Sequence, residues 1–355
     1  MWKLDYQYRR HNSAVLSVSS SENMKWIISG SSDSTIGRMN AETKEFELID
    51  EHKGSVNCVR VSPNQTLFAS ASSDQTCILW SLETGEYIAP LKSHIGSVRS
   101  VCWSDNSTEI VTASQDGTAI IWSTERNERI SILNALKGWA RDVKIKEDNI
   151  AVAGNERNIP IFDRRTGKIW IKIPTGTNSD ITSLSFHHLG GCIAAGSFDN
   201  HIRVWDLRNM ELHRKQRVHS DVVTSVSFSP ISDDFLTSSY DGHIRLWNLK
   251  TEDLIDSFQP HDSTINDNGW NQTGTHFLSA GSDRKVCSYY SINDSSVDYD
   301  GADLFQVLKH MQNNLDILTE SIRKVDERLH IQEERVKLLQ SIEKPIRRAY
   351  NRTNV

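Results

Sequence analysis

Along residues 1–292 apolar and polar positions alternate in short runs, and Gly, Ser, Asn and Asp punctuate them. Period-two runs of this length predict strands separated by tight turns. The stretch 98–122 shows the unit. Val98, Val101 and Trp103 mark one strand, and Ile110-Val111-Thr112-Ala113 a second. Gln115-Asp116-Gly117 forms a turn, and Ala119-Ile120-Ile121-Trp122 a third strand. The unit recurs. His11, His52, His94, His219 and His261 stand at its start, with Leu136 and Thr177 filling the gap, at steps of 41, 42, 42, 41, 42 and 42 residues. The repeats therefore number seven. Twenty-two residues after a start lies Asp33, Asp74, Asp116, Asp199, Asp241 or Asp283. Six residues further comes an aromatic at Trp80, Trp122, Trp205, Trp247 and Tyr289.

A period of this length with a His–Asp–Trp order resembles the WD40 family, in which each repeat builds one four-stranded propeller blade. The resemblance implies a buried network of the starting His, a Ser or Thr four residues before the turn Asp, that Asp, and the Trp. Three repeats carry all four residues. They are His52, Ser70, Asp74 and Trp80 in the second, His94, Thr112, Asp116 and Trp122 in the third, and His219, Thr237, Asp241 and Trp247 in the sixth. A buried Asp is costly unless hydrogen-bonded, so these residues are expected to hold the fold together rather than to bind metal or catalyse. The first repeat keeps His11, Ser29 and Asp33 but has Met39 for Trp; the fifth has Thr177 and Ala195 for His and Ser. The fourth has Leu136, Val152, Glu156 and Phe162, with Pro160 in its third strand, where it removes a ladder donor. Its apolar alternation at Ile150, Val152, Ile159, Ile161 and Phe162 still supports a blade, expected to be less stable than its neighbours. Residues 1–10 alternate at Trp2, Leu4, Tyr6 and Tyr8 and are expected to supply the outer strand of the seventh blade.

Near residue 292 the pattern changes. Residues 293–303 are polar and read as a linker. From there Leu304, Leu308, Met311, Leu315, Leu318, Ile322, Val325 and Leu329 alternate steps of four and three; after Gln332 the series continues with Val336 and Leu339. This is a heptad seam, predicting a coiled-coil helix over 304–343 ahead of a basic tail at 344–355. Leu308, Leu315, Ile322 and Leu329 take the a positions, and Leu304, Met311, Leu318 and Val325 the d positions. The narrow stripe favours pairing with a second helix over packing on the propeller. The mixed seam leaves two and three strands open, and self-pairing and pairing with another protein as well. The expected class is an all-β, seven-bladed WD40 β-propeller followed by a C-terminal α-helical coiled coil.

Composition adds exclusions. The formal net charge of −6 and the lack of a basic, aromatic-interleaved tract argue against nucleic acid. Cysteines 58, 77, 102, 192 and 287 are odd in number and lack paired ligand spacing, and no apolar run has the length of a membrane span. They are expected to be reduced, buried thiols in a cytoplasmic protein. The N-terminal segment carries Lys3, Asp5, Arg9 and Arg10 and is not expected to act as a signal peptide. No phosphate-binding loop, nucleophile elbow, zinc-protease helix or paired-cysteine motif occurs, so the chain is expected to be no enzyme and to need no cofactor.

The C-terminal segment is more specific than the ring. Leu308-Lys309-His310-Met311, Leu315-Asp316-Ile317-Leu318-Thr319, Arg328-Leu329 and Glu333 resemble the C-terminal signature of the proteome-of-centriole protein one family. That resemblance implies a scaffold of centrioles and basal bodies in the cytoskeleton. Its propeller would dock on the microtubule wall, on tubulin or microtubule-lining proteins, and its coiled coil would join copies or centriolar neighbours. Members often carry a long linker; here about eleven residues reach no further than roughly 36–40 Å. On propellers generally, partners dock on the face bearing the turns before the inner strand. The positions expected to line its centre are Leu16, Asn57, Arg99, Arg141, Thr182, Thr224 and Asn266, with Ser32, Ser73, Gln115, Asn155, Phe198, Tyr240 and Ser282. Arg99, Arg141, Trp139, Gln115, Phe198 and Tyr240 form the candidate binding cluster, with both arginines expected to be exposed, because Arg and aromatic residues anchor interfaces. A rival reading rests on Trp205-Asp206-Leu207-Arg208, a W-D-x-R pattern associated with substrate receptors of cullin–RING ubiquitin ligases, and on the weaker Phe162-Asp163-Arg164-Arg165. A signalling scaffold of the G-protein β type is disfavoured, since its helix would precede the ring.

Overall fold

The computed structural model describes residues 2–291; the linker, the heptad seam and the basic tail lie outside the described residues. Twenty-eight strands form seven four-stranded antiparallel sheets. Six of them are meanders of consecutive strands. The third blade, for example, runs Val98–Trp103, Glu109–Ser114, Thr118–Ser123 and Glu128–Asn134 from inner to outer strand.

The seventh blade is composite. Ile265–Trp270, His276–Gly281 and Lys285–Ser291 supply three strands, and Trp2–Arg9 pairs antiparallel with the last, from Trp2 opposite Ser291 to Arg9 opposite Lys285. The alternation read in residues 2–8 is that of an outer strand, and the ring closes through it, leaving no open edge between the first and last blades. Trp2 packs on Trp270 and Phe277, with centroids 5.4 and 5.0 Å apart.

Apolar layers lie between neighbouring blades. Leu79 and Leu91 of the second blade pack with Val98, Ile110 and Trp122 of the third. The fourth blade buries Ile150, Val152, Ile159, Ile161 and Phe162 without the polar network of the second, third and sixth. Pro160 leaves its mark there. The ladder between the second and third strands has three residue pairs, against five in the third blade, because proline has no N–H to give. All five cysteines are free; Cys58, Cys77 and Cys287 are buried. Contrary to the expected uniform burial, Cys102 and Cys192 are only partly covered. Cys102 lies on an inner strand two residues beyond a channel-lining position, and Cys192 opens its second strand.

Candidate functional site

The repeated polar residues meet inside each blade. In the second, Trp80 Nε1 donates to Ser70 Oγ (2.8 Å), Ser70 Oγ lies 2.7 Å from His52 Nε2, and His52 Nδ1 lies 2.8 Å from Asp74 Oδ2. An indole only donates, so the hydroxyl proton points at Nε2 and the ring's own proton at the carboxylate. Burial lowers the His52 pKa against the pull of Asp74, consistent with a neutral imidazole. The third blade repeats the contacts. Trp122 Nε1 donates to Thr112 Oγ1 at 2.9 Å, His94 Nε2 lies 2.8 Å from that hydroxyl, and His94 Nδ1 lies 2.9 Å from Asp116 Oδ2. In the sixth, Thr237 is wholly buried, and its hydroxyl takes the Trp247 indole proton at 3.0 Å. Thr237 Oγ1 also lies 2.8 Å from His219 Nε2, and His219 Nδ1 lies 3.0 Å from Asp241 Oδ2. Each nitrogen and hydroxyl is already used within the network, so the arrangement can brace a blade but offers nothing to a substrate.

Where the set is incomplete, other residues stand in. Tyr8 of the closing strand donates to Ser29 Oγ at 3.3 Å, and Phe46 covers the His11 ring that Met39 leaves unsealed. Gly37 is needed there, since a Cβ would fall 2.5 Å from Ser29 Oγ and 2.8 Å from His11 Nε2. In the fifth blade Arg203 replaces the missing His, with Nη1 donating to Asp199 Oδ1 at 3.1 Å and Nη2 to Asp199 Oδ2. The sequence carried no sign specific to this repeat: an Arg stands four residues after the acid here and also at Arg245 of the sixth repeat, which keeps its His, where the second and third repeats carry Ile78 and Ile120.

The inner strands build the channel. All seven shift register between the fourth and sixth residues after the repeat start, as at Val98/Ser100 and Ala140/Asp142. Such a bulge re-aims the extra, fifth residue. Leu16, Asn57, Arg99, Arg141, Thr182, Thr224 and Asn266 all line a central cavity of about 190 Å³. Three of them lace their blade to the next: Asn57 Nδ2 to Val98 O (2.8 Å), Thr182 Oγ1 to Val223 O (2.6 Å) and Asn266 Nδ2 to Val15 O (2.7 Å).

One residue deeper lie two carboxylates that the sequence reading passed over. Asp267 accepts from Ser225 Oγ (3.1 Å), Ser17 Oγ (2.8 Å), Val18 N (3.2 Å) and Arg60 Nη1 (3.0 Å), tying four blades across the point of closure. Asp142 accepts from Ser100 Oγ (2.6 Å), Leu184 N (2.7 Å) and Lys144 Nζ (2.9 Å), tying three. Their sign was an acid at the sixth position, where the other repeats carry Ser or Cys. Burial works against the charges on Arg60 and Lys144, but Asp267 and Asp142 outweigh it, and both pKa values stand above the ordinary ones.

At the mouth, Arg141 Nε and Nη2 both donate to Asp180 Oδ2, at 3.0 and 2.8 Å. Its guanidinium lies 5.0 Å from the Phe198 ring centroid and 5.8 Å from that of Trp139. Arg99 Nη1 donates to Asn57 Oδ1 at 3.2 Å, and among the described residues Arg99 enters no ion pair. Burial, and next the neighbouring Arg141, pull its pKa down. The expectation of two exposed arginines needs correcting: both are half-buried, because the bulge turns them into the mouth. Asp180 matches Arg141, so the basic patch reduces to Arg99. Trp139, Phe198 and Tyr240 are 49%, 39% and 42% exposed around it. Of the second expected set only Phe198 and Tyr240 line the cavity. Gln115 is half-buried outside it, while Ser73 and Ser282 brace Asn57 and Asn266. Away from the channel, Arg208 pairs with Asp206 at 2.7 Å, and Arg164 with Glu109 and Asp148. Among the described residues no three His, Cys, Asp or Glu side chains are placed to hold a metal ion.

Comparison with known proteins adds the following. The family model of the IFT122 first β-propeller matches residues 15–290. The guanine nucleotide-binding protein subunit beta of Arabidopsis thaliana is 38% identical over 81 residues, 22% of this chain and 22% of that protein. Cilia- and flagella-associated protein 52 of Mus musculus is 35% identical over 75 residues, 20% of this chain and 12% of that protein. U3 small nucleolar RNA-associated protein 13 of Saccharomyces cerevisiae is 40% identical over 70 residues, 19% and 8% of the respective lengths. The chain thus spans less than a quarter of the length of each of these relatives.

Proposed function

This chain belongs to the IFT122 first β-propeller family, and from that premise we propose that it is a non-enzymatic scaffold of the ciliary cytoskeleton, acting at centrioles or basal bodies. WD40 propellers are generally interaction folds, and function must come from the surface each presents. The observation that carries the ciliary reading is the family match across residues 15–290, with cilia- and flagella-associated protein 52 among the relatives. The C-terminal signature narrows it to the centriole. The channel mouth, with Arg99, Arg141 and three exposed aromatics, serves as the docking face toward tubulin or a microtubule-lining protein. The heptad segment links copies or neighbouring proteins, so that each ring is held by avidity as well as by its own face.

A tagged full chain expressed in ciliated cells tests this. It should concentrate at basal bodies and persist through microtubule-destabilising extraction, while residues 1–292 alone should arrive and be retained less. A diffuse cytosolic or nuclear signal from the intact chain would overturn the reading, and stoichiometric recovery of a cullin–RING linker protein would favour the ligase alternative.

A further inference from the structure

We propose that the channel mouth is a receptor for one carboxylate of an acidic peptide, with Arg99 as its anchoring cation. The inference rests on the reading of this face as the docking face, and it names the chemistry of the partner.

Charge bookkeeping along the channel makes the case. Four cations line the cavity, and three have carboxylate partners within the chain: Arg60 with Asp267, Lys144 with Asp142, Arg141 with Asp180. Among the described residues Arg99 has only the neutral Asn57 oxygen. A half-buried guanidinium without a counter-charge is unfavourable, and an incoming anion relieves it. The neighbouring blade shows what such an anion looks like when bound. Asp180 takes two N–H groups of Arg141, whose guanidinium rests against Phe198 and Trp139. Arg99 presents the same group one blade away, and the Tyr240 side chain lines the same cavity. A single unmatched charge suits a monoanion. A phosphate dianion would bring excess negative charge toward Asp142 and Asp180. The exposed rings of Trp139, Phe198 and Tyr240 give the flanking peptide an apolar, amphipathic platform.

The full chain titrated into a labelled, end-capped hexaglutamate peptide, followed by fluorescence anisotropy, tests the site. Binding should weaken as salt rises from about 0.05 to 0.5 M, since the Debye length shrinks severalfold. Arg99→Gln should weaken it about tenfold or more, the scale of a lost charge-assisted pair. Asp180→Asn should tighten it severalfold, because it frees Arg141 as a second cation; a gain cannot come from misfolding. Unchanged affinity in Arg99→Gln, no gain in Asp180→Asn, or tighter binding of a hexaserine peptide bearing one phosphoserine would each overturn the proposal. The ciliary reading stands or falls separately. Lost peptide binding with normal basal-body localisation refutes only the carboxylate receptor, and normal peptide binding with diffuse localisation refutes only the ciliary assignment.

Discussion

Replacing Asp116 by Ala removes one carboxylate that four donors share. His94 Nδ1 lies 2.9 Å away, Ile95 N 3.0 Å, Thr118 N 2.9 Å and Thr118 Oγ1 2.6 Å. The His94 side chain is 1% exposed, so its stranded N–H has no water to turn to. A stranded buried donor costs about 1–3 kcal/mol. The depressed pKa of the carboxyl gives a second figure. Burial alone would raise the Asp116 carboxyl, but the hydrogen bonds from Thr118 and His94 outweigh it and hold the pKa at about 2 instead of 3.8. At 1.36 kcal/mol per pH unit that difference is about 2.4 kcal/mol. The two overlap rather than add, giving a loss of about 2–3 kcal/mol, or roughly 3–5 °C in Tm for a ring of this size. Glu156→Ala is the control. Among the described residues its carboxylate accepts only the Lys137 N–H at an exposed turn, so it should cost less than about 1 kcal/mol. The pH dependence has a definite sign. The folded pKa lies below the unfolded one, so the stabilisation is complete above about pH 5 and fades as pH falls toward 2, with about half the linked part gone at pH 3. Urea denaturation at pH 7, 5 and 3 reads both effects. Equal losses for the two variants, or a gap for Asp116→Ala that does not narrow at pH 3, would refute the network as the source of blade stability.

Two further outcomes are expected. Asp267→Ala should cost about 3–5 kcal/mol, because it strands Arg60 in the channel and unties the closing joint, and adding Arg60→Met should recover part of the loss in urea melts; an additive double variant would count against the clamp. In the heptad segment, Leu315→Asp with Ile322→Asp should convert a self-associating full chain into a monomer by analytical ultracentrifugation, since two charges at seam positions cost several kcal/mol; a parent chain already monomeric at micromolar concentration would show that the helix seeks another protein.

The ring was legible because its signals are repeated. Seven starts at nearly constant steps averaged out the losses in the fourth and fifth repeats, and alternation in residues 2–8 was enough to place the closing strand. Stand-ins were harder to see. Tyr8 donates to Ser29 from the seventh blade across to the first, a pairing that no local pattern encodes. Asp142 and Asp267 were visible only as departures from their column, and Arg203 not even as that, since Arg245 shares its position in a repeat that keeps its His; such a sign reads as noise until the partner is known. The pairing of Arg141 with Asp180 likewise joins two different repeats. Exposure was therefore misjudged: the sequence carries the charge of an arginine but not the carboxylate that faces it.

The weakened repeats supply part of the candidate site, while Arg99 and Tyr240 come from the third and sixth repeats, which keep the full tetrad. The fourth and fifth repeats have lost the starting His, and these two supply Trp139, Arg141, Asp142, Asp180 and Phe198. In the fourth blade the His is replaced by Leu136, which packs with Val152 and Phe162, and apolar contact takes over from the polar brace. Gly154 permits it: a Cβ there would fall 1.9 Å from Trp139 O and 2.6 Å from Leu136 Cδ1, so the loop carrying Trp139 sits directly on the second strand. The usual network fixes the loop before the inner strand through the His and the backbone N–H that follows it, as Asp116 does with His94 and Ile95. The fourth blade loses only the His half of that anchor: Glu156 still accepts from Lys137 N, Asn155 N donates to Trp139 O at 3.3 Å, and the loop presents an exposed Trp beside the channel. Local rules of stability are broken where a surface is shaped for a partner. The lost His and hydroxyl accompany the Trp139 side of the rim, and supplying both through Leu136→His with Val152→Thr, with Glu156 and Phe162 left in place, should rebuild part of a brace while pulling the Trp139 loop away from Arg141. Titration with the acidic peptide should then show weaker binding in a chain that still melts cooperatively; unchanged affinity in that variant would refute the link between the lost tetrad and the rim.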